Sequence, residues 1–137
     1  MLVALCAAWA VYQPQRANNA NQDALDLLAK NQLPAAAKKA DDAHAINPAS
    51  VSPLWTKASV NIAQHNLAGA EVLLQRAVFD QPSNPEAWTR LAEFELYRKQ
   101  NAKKALDVVE GALYLDPRSA SAQTVFFDAL QRVRGGQ

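Results

Sequence analysis

The stretch from Glu86 to Pro117 reads EAWTRLAEFELYRKQNAKKALDVVEGALYLDP. Its apolar residues fall in two sets spaced by three and four. Trp88, Leu91, Ala92 and Leu96 form the first, and Ala105, Leu106, Val108, Val109, Ala112 and Leu113 form the second. Each spacing gathers its set on one stripe of a helix. Lys99-Gln100-Asn101 marks a turn between them. Asp116-Pro117 closes the second, because proline restricts the residue before it and cannot continue the hydrogen-bond ladder. The stretch therefore reads as a hairpin of two helices, with small residues at Ala92, Ala105 and Ala112 that admit close neighbours.

The hairpin recurs along the chain. Its tail, ALYLDP, is matched by AVFDQP and AHAINP, and the closing prolines Pro48, Pro82 and Pro117 are 34 and 35 residues apart. Ala43, Ala77 and Ala112 stand five positions before them, and Ala36, Ala70 and Ala105 stand seven before those. Trp55 and Trp88 are 33 apart. Ser52-Pro53 and Asn84-Pro85 each place a capping side chain before a proline at the first helical position. A capping box from Ser83 to Glu86 is the alternative start for the third unit. Asn66 with Leu67-Ala68-Gly69 marks the turn of the second unit, and Ser59 stands at its small position. Trp88 to Ala105 is two residues longer than Trp55 to Ala70, which places an insertion near the third turn. The first unit, from about Asn18, lacks a tryptophan, and Pro34 opens its second helix. After Pro117, Ser119 to Arg134 reads as one more helix. Ala122, Phe126, Ala129, Leu130 and Val133 make its apolar stripe, while Thr124, Asp128, Gln131 and Arg132 are expected to face water and Phe127 lies off the stripe.

The period near 34, the tryptophan, the Ala-x6-Ala pair and the closing proline together resemble the tetratricopeptide repeat (TPR) family. The resemblance is strongest over Glu86–Pro117, good over Pro53–Pro82 and weakest over the first unit. It implies an all-α fold, an α-solenoid of about three helix-turn-helix hairpins plus a C-terminal capping helix. The repeats are expected at 17–48, 49–82 and 83–117, the capping helix at 118–134 and a tail at 135–137. In that family the first helix of each hairpin lines a concave groove that takes extended peptides. The resemblance thus implies a non-catalytic protein-interaction scaffold, with a protein or peptide partner held at Gln22, Asp26, Thr56, Lys57, Val60, Thr89, Arg90 and Glu93. Family members that grip chaperone tails hold a C-terminal carboxylate with a clamp of Lys and Asn residues. This sequence departs from that pattern: Gln22 and Asp26 stand where Lys and Asn would, Glu86 replaces a Lys, and Arg90 alone matches.

Composition agrees with helices and offers little chemistry. The chain has 137 residues, half of them apolar and 7% aromatic, and lacks the alternating β-branched and aromatic pattern of strands. Fourteen basic and thirteen acidic residues leave a net charge of +1, which is no footprint for nucleic acid. Cys6, the single cysteine, excludes an internal disulfide. His44 and His65 stand apart, and no glycine-rich phosphate loop occurs. Asp41-Asp42 and Glu93/Glu95 are paired only by sequence, since adjacent and i,i+2 positions on a helix do not face each other. Arg98, Lys99, Lys103 and Lys104 read as a solvated basic turn. No catalytic residue, metal ligand, cofactor or small-molecule substrate is expected, and the chain is not read as an enzyme.

Residues 1–12, MLVALCAAWAVY, carry no charge and are apolar throughout. As a helix they reach about 18 Å, against roughly 30 Å of bilayer hydrocarbon. Three readings stand: the end of a transmembrane helix with Trp9 and Tyr12 at the interface, a helix docked on the repeats, or a signal peptide. Under the first, Gln13-Pro14-Gln15-Arg16 is an exit linker and the protein is membrane-associated in a bacterial cell envelope. An apolar segment, then WAVYQPQR, then degenerate repeats ending in ALYLDPRS also resembles the C-terminal tail of bacterial O-antigen ligase-like and polymerase-like membrane proteins. That resemblance implies a parent glycosyl-transfer enzyme whose catalytic part lies upstream.

Overall fold

A computed structural model describes the backbone of residues 2–136 and the side chains of residues 15–136. Among the described residues it is all-helical. The helices are α1 (Leu2–Ala29), α2 (Leu33–Ile46), α3 (Ser52–Ala63), α4 (Leu67–Asp80), α5 (Pro85–Glu93), α6 (Ala102–Leu115) and α7 (Ala120–Arg134), with a π-helical turn at Phe94–Arg98 continuing α5. The chain divides into two compact units, Met1–Leu73 and Leu74–Gln137, with the division inside α4.

The three tails end three helices in the same way. The amides of Asn47, Gln81 and Asp116 donate to the carbonyls of Ala43, Ala77 and Ala112 at 3.1, 3.0 and 2.9 Å. Three residues on, Ser50, Asn84 and Ser119 donate back to Asn47, Gln81 and Asp116. The prolines lie inside these turns, where no helical amide is needed. All six landmark alanines, Ala36, Ala43, Ala70, Ala77, Ala105 and Ala112, are 0% exposed. Three further alanines spaced by 34, Ala24, Ala58 and Ala92, are equally enclosed at 0, 1 and 0%. Ala58 thus fills the small position of the second unit, and Ser59, expected there, is exposed and bonds the Trp55 carbonyl of its own helix.

The turns inside the hairpins also share one geometry. Asn31, His65 and Gln100, spaced by 34 and 35, each have a left-handed backbone with φ of 57, 60 and 56°. The residue after each turns its amide back to the helix. Gln32 reaches Leu27 and Asn66 reaches Asn61, both five residues back, whereas Asn101 reaches Glu95, six back. That extra residue coincides with the π-helical turn, so part of the insertion expected at the third turn is absorbed within the helix itself. Asn66 and Asn101 then cap α4 and α6, their side chains accepting from the amides of Gly69 at 3.0 Å and Lys104 at 3.2 Å. Leu67-Ala68-Gly69, expected in the turn, is the first turn of α4.

Helix starts follow the prolines with one shift. Asn84 caps α5 and accepts from the Glu86 amide at 3.0 Å, so the capping box from Ser83 does not form. At α3 the expected cap, Ser52, is already helical; the residue before it, Val51, starts the helix without a side-chain cap and is 3% exposed. Burial of the valine takes the place of the capping bond. At the N-terminus α1 runs through Gln13–Arg16, the stretch read as an exit linker. The side chains of residues 1–12, including Trp9 and Tyr12, lie outside the described residues. No described helix is long and apolar enough to cross a membrane.

Within the second unit, Ala92, Leu96, Ala102, Ala105, Val109, Ala112, Ala122, Val125 and Ala129 form one buried cluster, walled by Trp88, Leu106, Val108, Leu113, Phe126 and Val133. Gly111 makes room for the Trp88 ring: a Cβ there would lie 2.7 Å from its Cε3. The indole is held from its other end, where Nε1 donates to the Pro82 carbonyl at 2.8 Å. Helix α7 repeats this construction. Its Gln123 donates to the Pro117 carbonyl at 2.8 Å, and its Thr124 hydroxyl bonds Ala120 as Thr89 bonds Pro85, each at 2.9 Å. Ser119 caps it. The terminal helix is therefore built like the first helix of a hairpin.

Candidate functional site

The eight positions assigned to the groove do not share one environment. In the first unit Gln22 and Asp26 are exposed one turn apart on α1 and bond each other at 3.4 Å. Lys57 is half-buried and pairs with Asp41 at 2.6 Å. Thr56 and Val60 are inside, at 4 and 0% exposure. Thr56 is a strut between helices: its hydroxyl donates to Asn21 Oδ1 at 2.8 Å, and it also reaches the Ser52 carbonyl at 3.2 Å. A buried hydroxyl needs such partners, and these two carbonyl oxygens share its one proton. Asp23 on α1 is tied to Lys39 of α2 at 3.1 Å.

In the second unit Thr89 is likewise buried, at 4% exposure, and bonds its own helix. Arg90 is exposed and grips Glu86 through Nε and Nη2 at 2.9 and 2.7 Å. Glu93 is half-buried and lies one turn beyond Arg90; among the described residues no hydrogen bond or ion pair holds it. Loss of water lifts its carboxyl above the ordinary range, with Arg90 opposing and the Glu86 charge reinforcing the shift. Thr56, Val60 and Thr89 are thus packing residues, while Gln22, Asp26, Arg90 and Glu93 present polar groups to solvent.

The structure adds residues at the end of that stripe. The Tyr97 hydroxyl donates to Asp128 Oδ2 at 2.6 Å, joining the π-helical turn to α7. The Arg132 guanidinium lies 5.4 Å from the Tyr97 ring centre and donates to the Leu96 carbonyl at 3.0 Å. Asp128 and Arg132, expected to face water, are instead engaged with this tyrosine. The hydrogen bond to Asp128, then burial, then the charges of Asp128 and Glu93 push the phenol up to about 12, against the pull of Arg132. Glu86, Arg90, Glu93 and Tyr97 follow one another at three and four residues, so they run along a single helix face.

Glu95 points the opposite way. It is 0% exposed, and Lys104 Nζ approaches Oε1 at 2.8 Å while Lys99 Nζ stands 3.7 Å from Oε2. Two members of the basic group read as a solvated turn are therefore counter-ions to a buried carboxylate. Among the described residues no group of three or more His, Cys, Asp or Glu side chains is placed to share a metal ion.

The fold is an all-α helical-repeat solenoid, and it matches that of solved TPR domains. The first TPR domain of human RPAP3 is similar at a TM-score of 0.74 and 18% identity, over 89% of this chain and 95% of that one. The Sgt2 TPR domain of Aspergillus fumigatus is similar at 0.74 and 16%, over 88% and 80%. The first TPR of Spaghetti (RPAP3), solved bound to the HSP90 peptide SRMEEVD, is similar at 0.71 and 18%, over 88% and 94%. No family model matches the sequence, and no curated protein matches it.

Proposed function

We propose that this chain is a non-catalytic protein-interaction module that holds an extended peptide segment of a partner on the first helices of its hairpins. The observation that carries the reading is the likeness in fold, over 88% of the chain, to a domain solved with a peptide bound. Exposed polar side chains on α1 and α5, Gln22 and Asp26 in one unit and Arg90 and Glu93 in the other, support it. Selection of binders from a random-peptide library displayed on phage tests it with the full chain as bait. Enrichment of extended peptides whose binding weakens on Arg90→Ala or Gln22→Ala is the expected result. Enrichment of none, or binding indifferent to both substitutions, overturns the reading.

The uncharged run at residues 1–12 supports a second element, a tether that holds the module at a membrane of the bacterial envelope. Under this proposal the full chain floats with liposomes in a density gradient, and a 17–137 fragment does not. A parent O-antigen ligase-like or polymerase-like enzyme rests on the same run. It requires an open reading frame, upstream of and continuous with the Met1 codon, that encodes several apolar spans.

A further inference from the structure

The peptide-bound neighbour carries an acidic ligand, whose sequence ends in Glu-Glu-Val-Asp. The first helix of the second unit carries a mixed set of charges in this chain. Along α5 and the π-helical turn stand Glu86, Arg90, Glu93 and Tyr97, with Asp128 and Arg132 beside them from α7. The two cations are occupied: Arg90 is clasped by Glu86 through two nitrogens, and Arg132 lies on the Tyr97 ring and bonds the Leu96 carbonyl. The carboxylates are less well served. Asp128 accepts only from an uncharged phenol, and Glu93 is half-buried with no hydrogen bond or ion pair among the described residues. Three carboxylates against two guanidiniums leave this face with an excess of negative charge.

We infer that this face takes a cationic segment, placing a lysine or arginine side chain of the partner against the Glu93 carboxylate beside the Tyr97 ring. The inference rests on the reading of α5 as a peptide-binding face. A half-desolvated carboxylate has lost part of its hydration, and the nearest cation, Arg90, is bonded to Glu86 and not to Glu93, so an arriving cation restores what burial removed. The ring, 41% exposed, offers the same cation a second favourable surface. An acidic tail would instead meet Glu86, Glu93 and Asp128, with both arginines already engaged.

The test uses the full chain and three fluorescein-labelled peptides of one length. They differ only in carrying lysine, glutamate or serine at alternate positions, and fluorescence anisotropy reads their binding. Glu93→Gln keeps the shape and removes the charge, while Asp107→Asn makes the same change at an exposed site on α6; circular dichroism checks that both fold. The lysine peptide should bind about tenfold more tightly than the serine peptide. Glu93→Gln should erase most of that preference and Asp107→Asn should leave it. A glutamate peptide that binds as tightly as the lysine peptide overturns the inference and leaves the peptide-binding reading standing. A preference that survives Glu93→Gln, or falls equally with Asp107→Asn, also overturns it. Binding of none of the three overturns both.

Discussion

Gln100 holds a left-handed backbone, φ 56°, at the turn between the π-helical segment and α6, and glycine there should stabilise the protein. An L-residue in that region is strained by roughly 1–2 kcal/mol. Glycine removes the strain but brings extra freedom to the unfolded chain, which costs about 0.5–1 kcal/mol. The difference is a gain of about 0.5–1 kcal/mol for Gln100→Gly, a rise in melting temperature of roughly 1–4 °C. The closing bond of the turn, from the Asn101 amide to the Glu95 carbonyl at 2.8 Å, is made by backbone and survives the change. Gln100→Ala is the control: it deletes the same side chain but keeps the strain, so it should give no gain. His65→Gly, at φ 60°, should behave like Gln100→Gly. Asn31→Gly, at φ 57°, should be close to neutral, because asparagine visits this region readily. Thermal and urea denaturation followed by far-ultraviolet circular dichroism reads all four. A lower midpoint for Gln100→Gly and His65→Gly, or an equal gain for Gln100→Ala, would refute the reasoning.

Gly111→Ala should destabilise by about 1–3 kcal/mol through overpacking, although helix propensity alone forecasts a gain of about 1 kcal/mol. The Cβ would sit 2.7 Å from Trp88 Cε3, and urea denaturation decides the sign. The Tyr97 phenol, pushed up to about 12, is neutral in the fold well above the pH at which it ionises in the unfolded chain. Its raised value means that the stability it contributes is complete below about pH 10 and is lost as pH rises toward 12. Ultraviolet titration should show one late tyrosine that disappears in Tyr97→Phe. Lys104→Met removes the nearer counter-ion of the buried Glu95 and should cost about 1–3 kcal/mol. Restoring charge neutrality with the double change Lys104→Met/Glu95→Gln should recover part of that loss in the same denaturation assay.

What the chain announces in advance is its punctuation. Pro48, Pro82 and Pro117 and the alanines before them are dictated by local rules, since a proline stops a helix and an alanine lets another approach. The structure places each of them as those rules require. Register is harder to read. Ser59 and Ala58 are both small, and which one is enclosed depends on a one-residue rotation of α3 that only its neighbours determine. The Ser52 cap fails for a related reason, because burial of Val51 outweighs a capping bond that local sequence makes attractive. The face near Glu93 was legible only in part. Thr56, Val60 and Thr89 sit where a groove pattern would put them, yet their side chains turn inward. Tyr97 and Asp128 are 31 residues apart, and the pair has no local signal. A faint signal did exist for the buried charge, since Glu95, Lys99 and Lys104 place two lysines within reach of one carboxylate across a turn.

The central claim is that the first helices of the hairpins hold a partner peptide, and a nuclear magnetic resonance titration of the labelled chain tests it most directly. A peptide selected by display is added to saturation and the shifted amides are mapped. The account predicts that the shifts concentrate on α1 around Gln22 and Asp26 and on α5 around Arg90 and Glu93. Shifts confined to α2, α4 and α6, or a spectrum unchanged at saturation, would contradict it.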